Sequence, residues 1–274
     1  MDFAWLLSLC LADRPGAAPG TLWSAWSLAP QAVLPLLAAL ALYAGGALKM
    51  RALGAAPVPA WRTACFVAGW GVLAVALVSP LCRLAATLVS AHMVQHVLLV
   101  AIAPLLWALG APMTVMRAGT QRSSSRPPSF LAITLLYGLA IWLWHFPPAY
   151  TLVLLDGTIH TLAYAALIGV SIAFWSRIVR GGQVGDLRCI PALFVTLLHT
   201  GLLGALLTFS GRAWYPVLAG GAPSWGLAPL ADQQLAGLIM WAPMSAVYLG
   251  AALCIVAAQL SAATPPTARF RMQR

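Results

Sequence analysis

The chain has 274 residues, of which 62% are apolar and only 7% are charged. A soluble domain carries about 25% charged residues, so an ordinary cytosolic enzyme and a disordered chain are both excluded. The net charge is +10, from 14 Arg and one Lys against five Asp and no Glu. The basic residues stand in small groups between long uncharged runs. That is how loops on one side of a membrane look, not how a nucleic-acid-binding face looks.

The N-terminal MDFAWLLSLCLADRPG has an apolar stretch, but Asp2 stands where a cleaved signal would want Lys or Arg. Residues 1–29 therefore read as a short amphipathic periplasmic lead-in. Seven uncharged stretches follow, each long enough for the roughly 20 residues that a spanning helix needs. They predict helices at about 30–49, 63–81, 85–109, 129–147, 157–177, 189–210 and 231–259. The inner loop 110–128 contains the flexible basic turn SSSRPPS. The outer segment 211–230 is rich in Gly and Pro and reads as a loop. Its Trp214, Tyr215 and Trp225 suit an interfacial aromatic belt. Residues 261–274 form a basic cytoplasmic tail.

Seven spans place twelve basic residues on one side of the membrane and three, Arg14, Arg83 and Arg212, on the other. The positive-inside rule then gives N-terminus out and C-terminus in. The expected fold class is an all-α integral membrane protein, a seven-transmembrane-helix bundle with its membrane domain over 30–260. The five cysteines, Cys10, Cys65, Cys82, Cys189 and Cys254, form no C-x-x-C and read as small core residues.

All five histidines lie in predicted helices or at their ends: His92, His96, His145, His160 and His199. Ionisable residues within a membrane are expensive and usually face a protein interior with a task. From the helix rise, His92 lies about 11 Å and His96 about 17 Å below the outer boundary, with His199 at about 16 Å. His145 and His160 sit about 3–5 Å inside that boundary. His92 and His96 form H-M-V-Q-H, whose i,i+4 spacing puts both imidazoles on one face. Two such rings can share one metal ion. Imidazole and thioether in a water-poor site suit copper, with Cu(I) favoured. Met93 is one position off the His92–His96 face, and Met240 and Met244 on the last helix reach a comparable depth, although core filling is the commoner use of methionine.

Other seven-helix chemistries fare worse. A retinal Schiff base needs a mid-helix Lys, and the one Lys, Lys49, is at a helix end. A carboxylate-driven transporter wants buried acids, which the middle of the membrane lacks. A b-type cytochrome, with His92 or His96 facing His199 as axial ligands, survives.

The stretch His92–His96 with Val97-Leu-Leu, followed by Ala103-Pro104-Leu-Leu and Leu109-Gly110-Ala111-Pro112, resembles the polytopic cytochrome c oxidase assembly factors of the CtaG type, linked to caa(3)-type oxidases. Trp144-His145-Phe-Pro147 resembles the same family. So do His199-Thr-Gly201-Leu-Leu-Gly204 and Asp232-Gln233-Gln234-Leu-Ala-Gly237-Leu-Ile-Met240-Trp241. The resemblance implies a multi-pass protein of the bacterial plasma (inner) membrane that helps mature haem–copper oxidase. It further implies a role in copper delivery, with oxidase subunits and periplasmic copper chaperones as partners beside membrane lipid. The family often continues the helix-five histidine as H-x-x-E-H, whereas this chain has His160-Thr-Leu-Ala163-Tyr164.

The reading is a non-enzymatic assembly factor holding copper in an outward-facing cluster. His92, His96 and His199 are the expected inner ligands, and His145 and His160 an access or second site. Asp232 would orient a histidine or attract the cation, and Gln95 and Gln233 would supply supporting hydrogen bonds. The alternatives are a haem- or quinone-binding membrane cytochrome, haem being the weaker cofactor, and a metal-free scaffold for oxidase assembly.

Overall fold

Five of the eleven α-helices among the described residues start on proline, which suits the first helical position because its missing N–H has no intrahelical partner there. Pro30, Pro80, Pro112, Pro147 and Pro229 each open a helix. The computed structural model describes residues 6–14, 16–118 and 128–263. The start of the lead-in, most of the basic inner turn and the basic tail from 264 onward lie outside these.

The described residues form helices only, beyond loops and turns. They are α1 (Pro30–Ala52), α2 (Ala60–Val78), α3 (Pro80–Ala85), α4 (Val89–Val97), α5 (Ala103–Gly110), α6 (Pro112–Met116), α7 (Phe130–His145), α8 (Pro147–Leu155), α9 (Gly157–Gln183), α10 (Cys189–Phe209) and α11 (Pro229–Ala263). A π-helical turn, Leu98–Ile102, joins α4 to α5. Six helices or continuous helical runs are long and apolar enough to cross a membrane. A seventh crossing arises if α7 and α8, bent by 75° at their junction, count as one. The sequence expected one helix through 147. It ends at His145 because Pro147 and Pro148 follow, and a residue before proline is pushed out of the helical region. Phe146 accordingly has φ −66° and ψ 124°.

Leu135, Leu139, Leu198 and Leu202 are 53–64% exposed on the outside of the bundle, the surface that lipid would cover. Between helices the packing depends on small residues, because lipid tails are as apolar as leucine and close approach must supply the attraction. A Cβ on Gly204 would stand 2.9 Å from the Gly237 carbonyl oxygen and 2.9 Å from Trp241 Cβ. A Cβ on Gly237 would stand 2.6 Å from the Gly204 carbonyl oxygen and also strike Thr208 Oγ1. These two glycines set the separation of α10 and α11.

The interruption at 98–102 has a chemical cause. In an α-helix the Val100 carbonyl would accept from the amide of residue 104, and Pro104 has none. The ladder slips by one residue, so that the Ala103 amide reaches back to Leu98 O. The released Val100 oxygen instead accepts from Tyr137 Oη at 2.9 Å and Trp175 Nε1 at 3.0 Å. Tyr137 Oη also lies 2.8 Å from Tyr248 Oη. These three aromatic residues are fully buried, so α7, α9 and α11 are joined through one backbone atom.

At the other end of this span, α4 begins below the bundle's rim with Leu88 as N-cap, whose side chain cannot cap. Asp232 of α11 takes over that function. Its carboxylate accepts from the Val89 amide at 2.7 Å, from the Ser90 amide at 3.1 Å and from the Ser90 hydroxyl. Asp232 is 1% exposed. The expectation that it orients a histidine directly is therefore corrected: it anchors the helix on which His92 and His96 ride.

The described part of the lead-in is mostly irregular, with one short 3-10 turn at Pro19–Ser24. It folds across this end, held by Ala12 N donating to Leu154 O at 2.9 Å. The buried Arg83 guanidinium donates to Leu9 O, Ser8 O and Ser8 Oγ at 2.9–3.2 Å. Beside it, Cys10 and Cys82 form a disulfide. Their assignment as isolated core thiols is thus wrong. A separation of 72 residues in sequence hid the pairing.

Two outcomes test these joints. Gly237→Val should lower unfolding stability by about 1–3 kcal/mol through overpacking, read as a lower midpoint in a detergent unfolding titration. A midpoint equal to wild type would show that the two backbones can separate freely. Asp232→Ala leaves two buried amides unpaired, a loss of about 1–3 kcal/mol each. Asp232→Asn, which keeps one acceptor oxygen, should fall between. Equal stability of all three proteins would remove the cross-helix cap.

Candidate metal-handling chamber

Four helices bring polar side chains to one small chamber beneath the Asp232 cap. α4 supplies His92, Gln95 and His96, α7 supplies His145 from its last turn, α8 supplies Tyr150, and α9 supplies Tyr164. The chamber has a volume of about 30 Å³. A water-sized occupant needs at least about 10–15 Å³ by this kind of measure, so there is room for an ion or a water and for little more.

Three of the five histidines are held by backbone carbonyls. The His145 ring nitrogen Nδ1 lies 2.7 Å from Ile141 O, His92 Nδ1 3.3 Å from Ala85 O, and His160 Nδ1 3.0 Å from Val153 O. Only N–H can bond to a carbonyl, so Nδ1 carries the proton in the neutral ring and Nε2 keeps a lone pair. This is the arrangement in which metal-binding histidines are usually found. Nε2 of His96 and Nε2 of His145 are both buried with no protein partner. Their rings meet edge to face with centroids 4.8 Å apart. The His92 ring packs on Tyr150 at 4.9 Å.

The i,i+4 pair thus does face one interior, but its third neighbour is His145 and not His199. His199 lies against α7 at Gly138, where a Cβ would come 3.2 Å from its Nε2. Both His199 ring nitrogens lack a partner. Equal depth on two helices, which suggested His199, says nothing about facing. His160 stacks on Tyr164 at 4.2 Å and lines a neighbouring apolar slot with Leu9 and Cys82. Among the described residues, no three His, Cys, Asp or Glu side chains are disposed to hold one ion.

The supporting residues sort differently from expectation. Gln95 braces the chamber: its Nε2 donates to Ala76 O at 2.7 Å and its Oε1 accepts from Tyr164 Oη at 2.8 Å. Tyr164, which stands where the family's second helix-five histidine would be, therefore acts by hydrogen bonding. Gln233 turns outward to the 211–228 loop, accepting from Trp214 N at 2.5 Å and donating to Arg212 O at 3.1 Å. Met93 and Met240 are fully buried in the main apolar core and do not line the chamber. Two of the loop aromatics fasten the loop to the bundle. Tyr215 is buried and donates to His145 O at 2.9 Å, and Trp225 Nε1 donates to Ala17 O at 3.0 Å. Tyr150 was not singled out in the sequence. Its only signal is its place after the Pro147 bend, which turns α8 back over the histidines.

No curated protein and no solved structure matches the chain significantly. The cytochrome c oxidase caa3 assembly factor family matches it over residues 41–262, a span that contains His92, His96, His145 and the Asp232 cap. The chain, a membrane bundle with a buried histidine chamber, belongs to that family of caa3-type cytochrome c oxidase assembly factors.

Proposed function

We propose that the chain serves oxidase assembly without catalysis of its own, by holding copper transiently in the histidine chamber and passing it to an oxidase subunit. Family membership supports the role in assembly. The observation that carries copper is the pair of buried, unpartnered Nε2 atoms on His96 and His145. A buried polar atom with nothing to bond to is costly, and a cationic guest would relieve it. Cu(I) is the guest best matched to few, neutral, soft-to-borderline donors in a dry site. His92, on the same wall of the chamber, would become a third donor only if the rings shift toward the ion, since no three such side chains among the described residues are set around one point. His160 stands on the route in, and His199 stands apart.

The chamber end faces outward in this reading, toward the periplasm of a bacterial plasma membrane. The twelve-to-three split of basic residues favours it. So does the Cys10–Cys82 disulfide at the same end, since disulfides persist in oxidising compartments. Periplasmic copper chaperones and oxidase subunits are then the donors and acceptors of the ion. Haem is disfavoured as guest, because a chamber of about 30 Å³ has no room for a porphyrin.

Copper analysis of protein purified with Cu(I) tests the proposal. His92→Ala, His96→Ala and His145→Ala should each lower bound copper by about 10–100-fold, as removal of a metal-site residue commonly does. His199→Ala should change it by less than about twofold, because losing a residue outside the site leaves binding intact. Retention by the triple variant would sink copper binding in the chamber. Normal oxidase maturation in cells carrying that variant would favour the scaffold reading. Topology is checked separately: a phosphatase active only after export, fused after Arg274, should be inactive, and activity there would turn the chamber toward the cytoplasm.

A further inference from the structure

The opposite end of the bundle carries a second polar site. A pocket of about 640 Å³ opens between α2, the α5–α6 corner and the last turns of α9. Arg62, Arg117, Arg177 and Arg180 line it. Arg177 and Arg180 are three residues apart on one helix and so share a face. Arg62 Nε is buried without a hydrogen-bond partner. Asp186 is the carboxylate at this end among the described residues, and it is already engaged. Arg188 holds it with two contacts of 2.9 Å, and Arg177 NH2 lies 3.5 Å away. One carboxylate shared by two arginines leaves the pocket positive.

The pocket adjoins an apolar groove of about 650 Å³ that runs between α5, α9 and α11 at membrane level. Val179 and Gln183 belong to both walls. The groove is otherwise lined by small and aliphatic side chains such as Leu105, Leu109 and Ala251. A Cβ at Gly250 would meet nothing within 4 Å, so there is open space beside it. Arginines above and an apolar trough below match one molecule that is anionic at one end and aliphatic at the other.

We infer that this composite site binds an anionic phospholipid, with its phosphate among the arginines and an acyl chain along the α5–α9–α11 groove. Guanidinium groups recognise phosphate through paired N–H donors, and basic pockets between membrane helices are suited to anionic headgroups. A free phosphate would use the pocket and leave the groove empty, which is why the lipid is the better occupant. The site lies at the far end of the span from the histidines and does not depend on their role.

Native mass spectrometry of the full chain, released from mixed micelles of phosphatidylglycerol and phosphatidylcholine, tests it. Wild type should retain phosphatidylglycerol about tenfold over phosphatidylcholine, the size that one or two basic contacts supply. Arg62→Gln with Arg180→Gln should erase the preference. Gly250→Leu alters no charge and sits on the outside of α11, so it should fold. It should still lower phosphatidylglycerol retention several-fold by filling the groove. Equal retention of both lipids by wild type would overturn the site, and so would full retention by Gly250→Leu. Displacement of the lipid by millimolar inorganic phosphate would assign the pocket to a soluble anion and overturn the lipid.

Discussion

A helix that begins and breaks inside a membrane needs partners for the backbone groups it frees, because no water is there to take them. The α4–α5 span faces that requirement twice, and the rest of the bundle is arranged around the two answers. At its start, Asp232 accepts the Val89 and Ser90 amides. At its middle, Tyr137 and Trp175 donate to the carbonyl that Pro104 strands. One answer comes from α11 and the others from α7 and α9, so satisfying one helix fixes the positions of three more. The histidine chamber forms in the space between these two joints, and its shape follows from them.

Much of the fold was legible because hydrophobic length and charge position carry it. Uncharged runs located the spans to within about four residues, apart from the fifth, which runs on to Gln183 and not 177, and the fourth, which the Phe146–Pro147 bend cuts in two. The H-M-V-Q-H pattern gave the correct shared face for His92 and His96, since i,i+4 geometry is local. What failed was every inference that needed to know which helices face each other. His199 and His145 exchanged places for that reason. Depth is readable from a count of residues, whereas azimuth depends on packing that small residues such as Gly138, Gly204 and Gly237 decide.

The polar residues around the chamber show a related limit. Asp232, Gln95 and Gln233 each looked suited to a second shell, as polar groups at the right level of a membrane. Each proved to be satisfied by backbone groups: two amides for Asp232, the Ala76 carbonyl for Gln95 and the loop backbone for Gln233. In a bilayer the unmet needs of the backbone outnumber those of any site, so a buried amide or carboxylate goes first to a helix end or a loop. Gln95 alone does both, because its second end meets Tyr164 on the chamber wall.

Three buried side-chain atoms of the chamber wall, Nε2 of His96, Nε2 of His145 and Oη of Tyr150, have no hydrogen-bond partner among the described residues. The two histidine nitrogens could have been silenced by a hydroxyl or an amide from a neighbouring helix, as Gln95 is by Tyr164. In the neutral His145 ring the proton cannot move from Nδ1 to Nε2 without breaking the 2.7 Å bond to Ile141 O. A histidine serving only as helix glue has no need of a free, oriented lone pair in a dry cavity. A transient cargo site does, and it gains from having few donors, because a guest held by a full ligand set would be slow to leave. Under the proposed role in copper transfer, so small a donor set suits a chamber that passes the ion on more than one that keeps it.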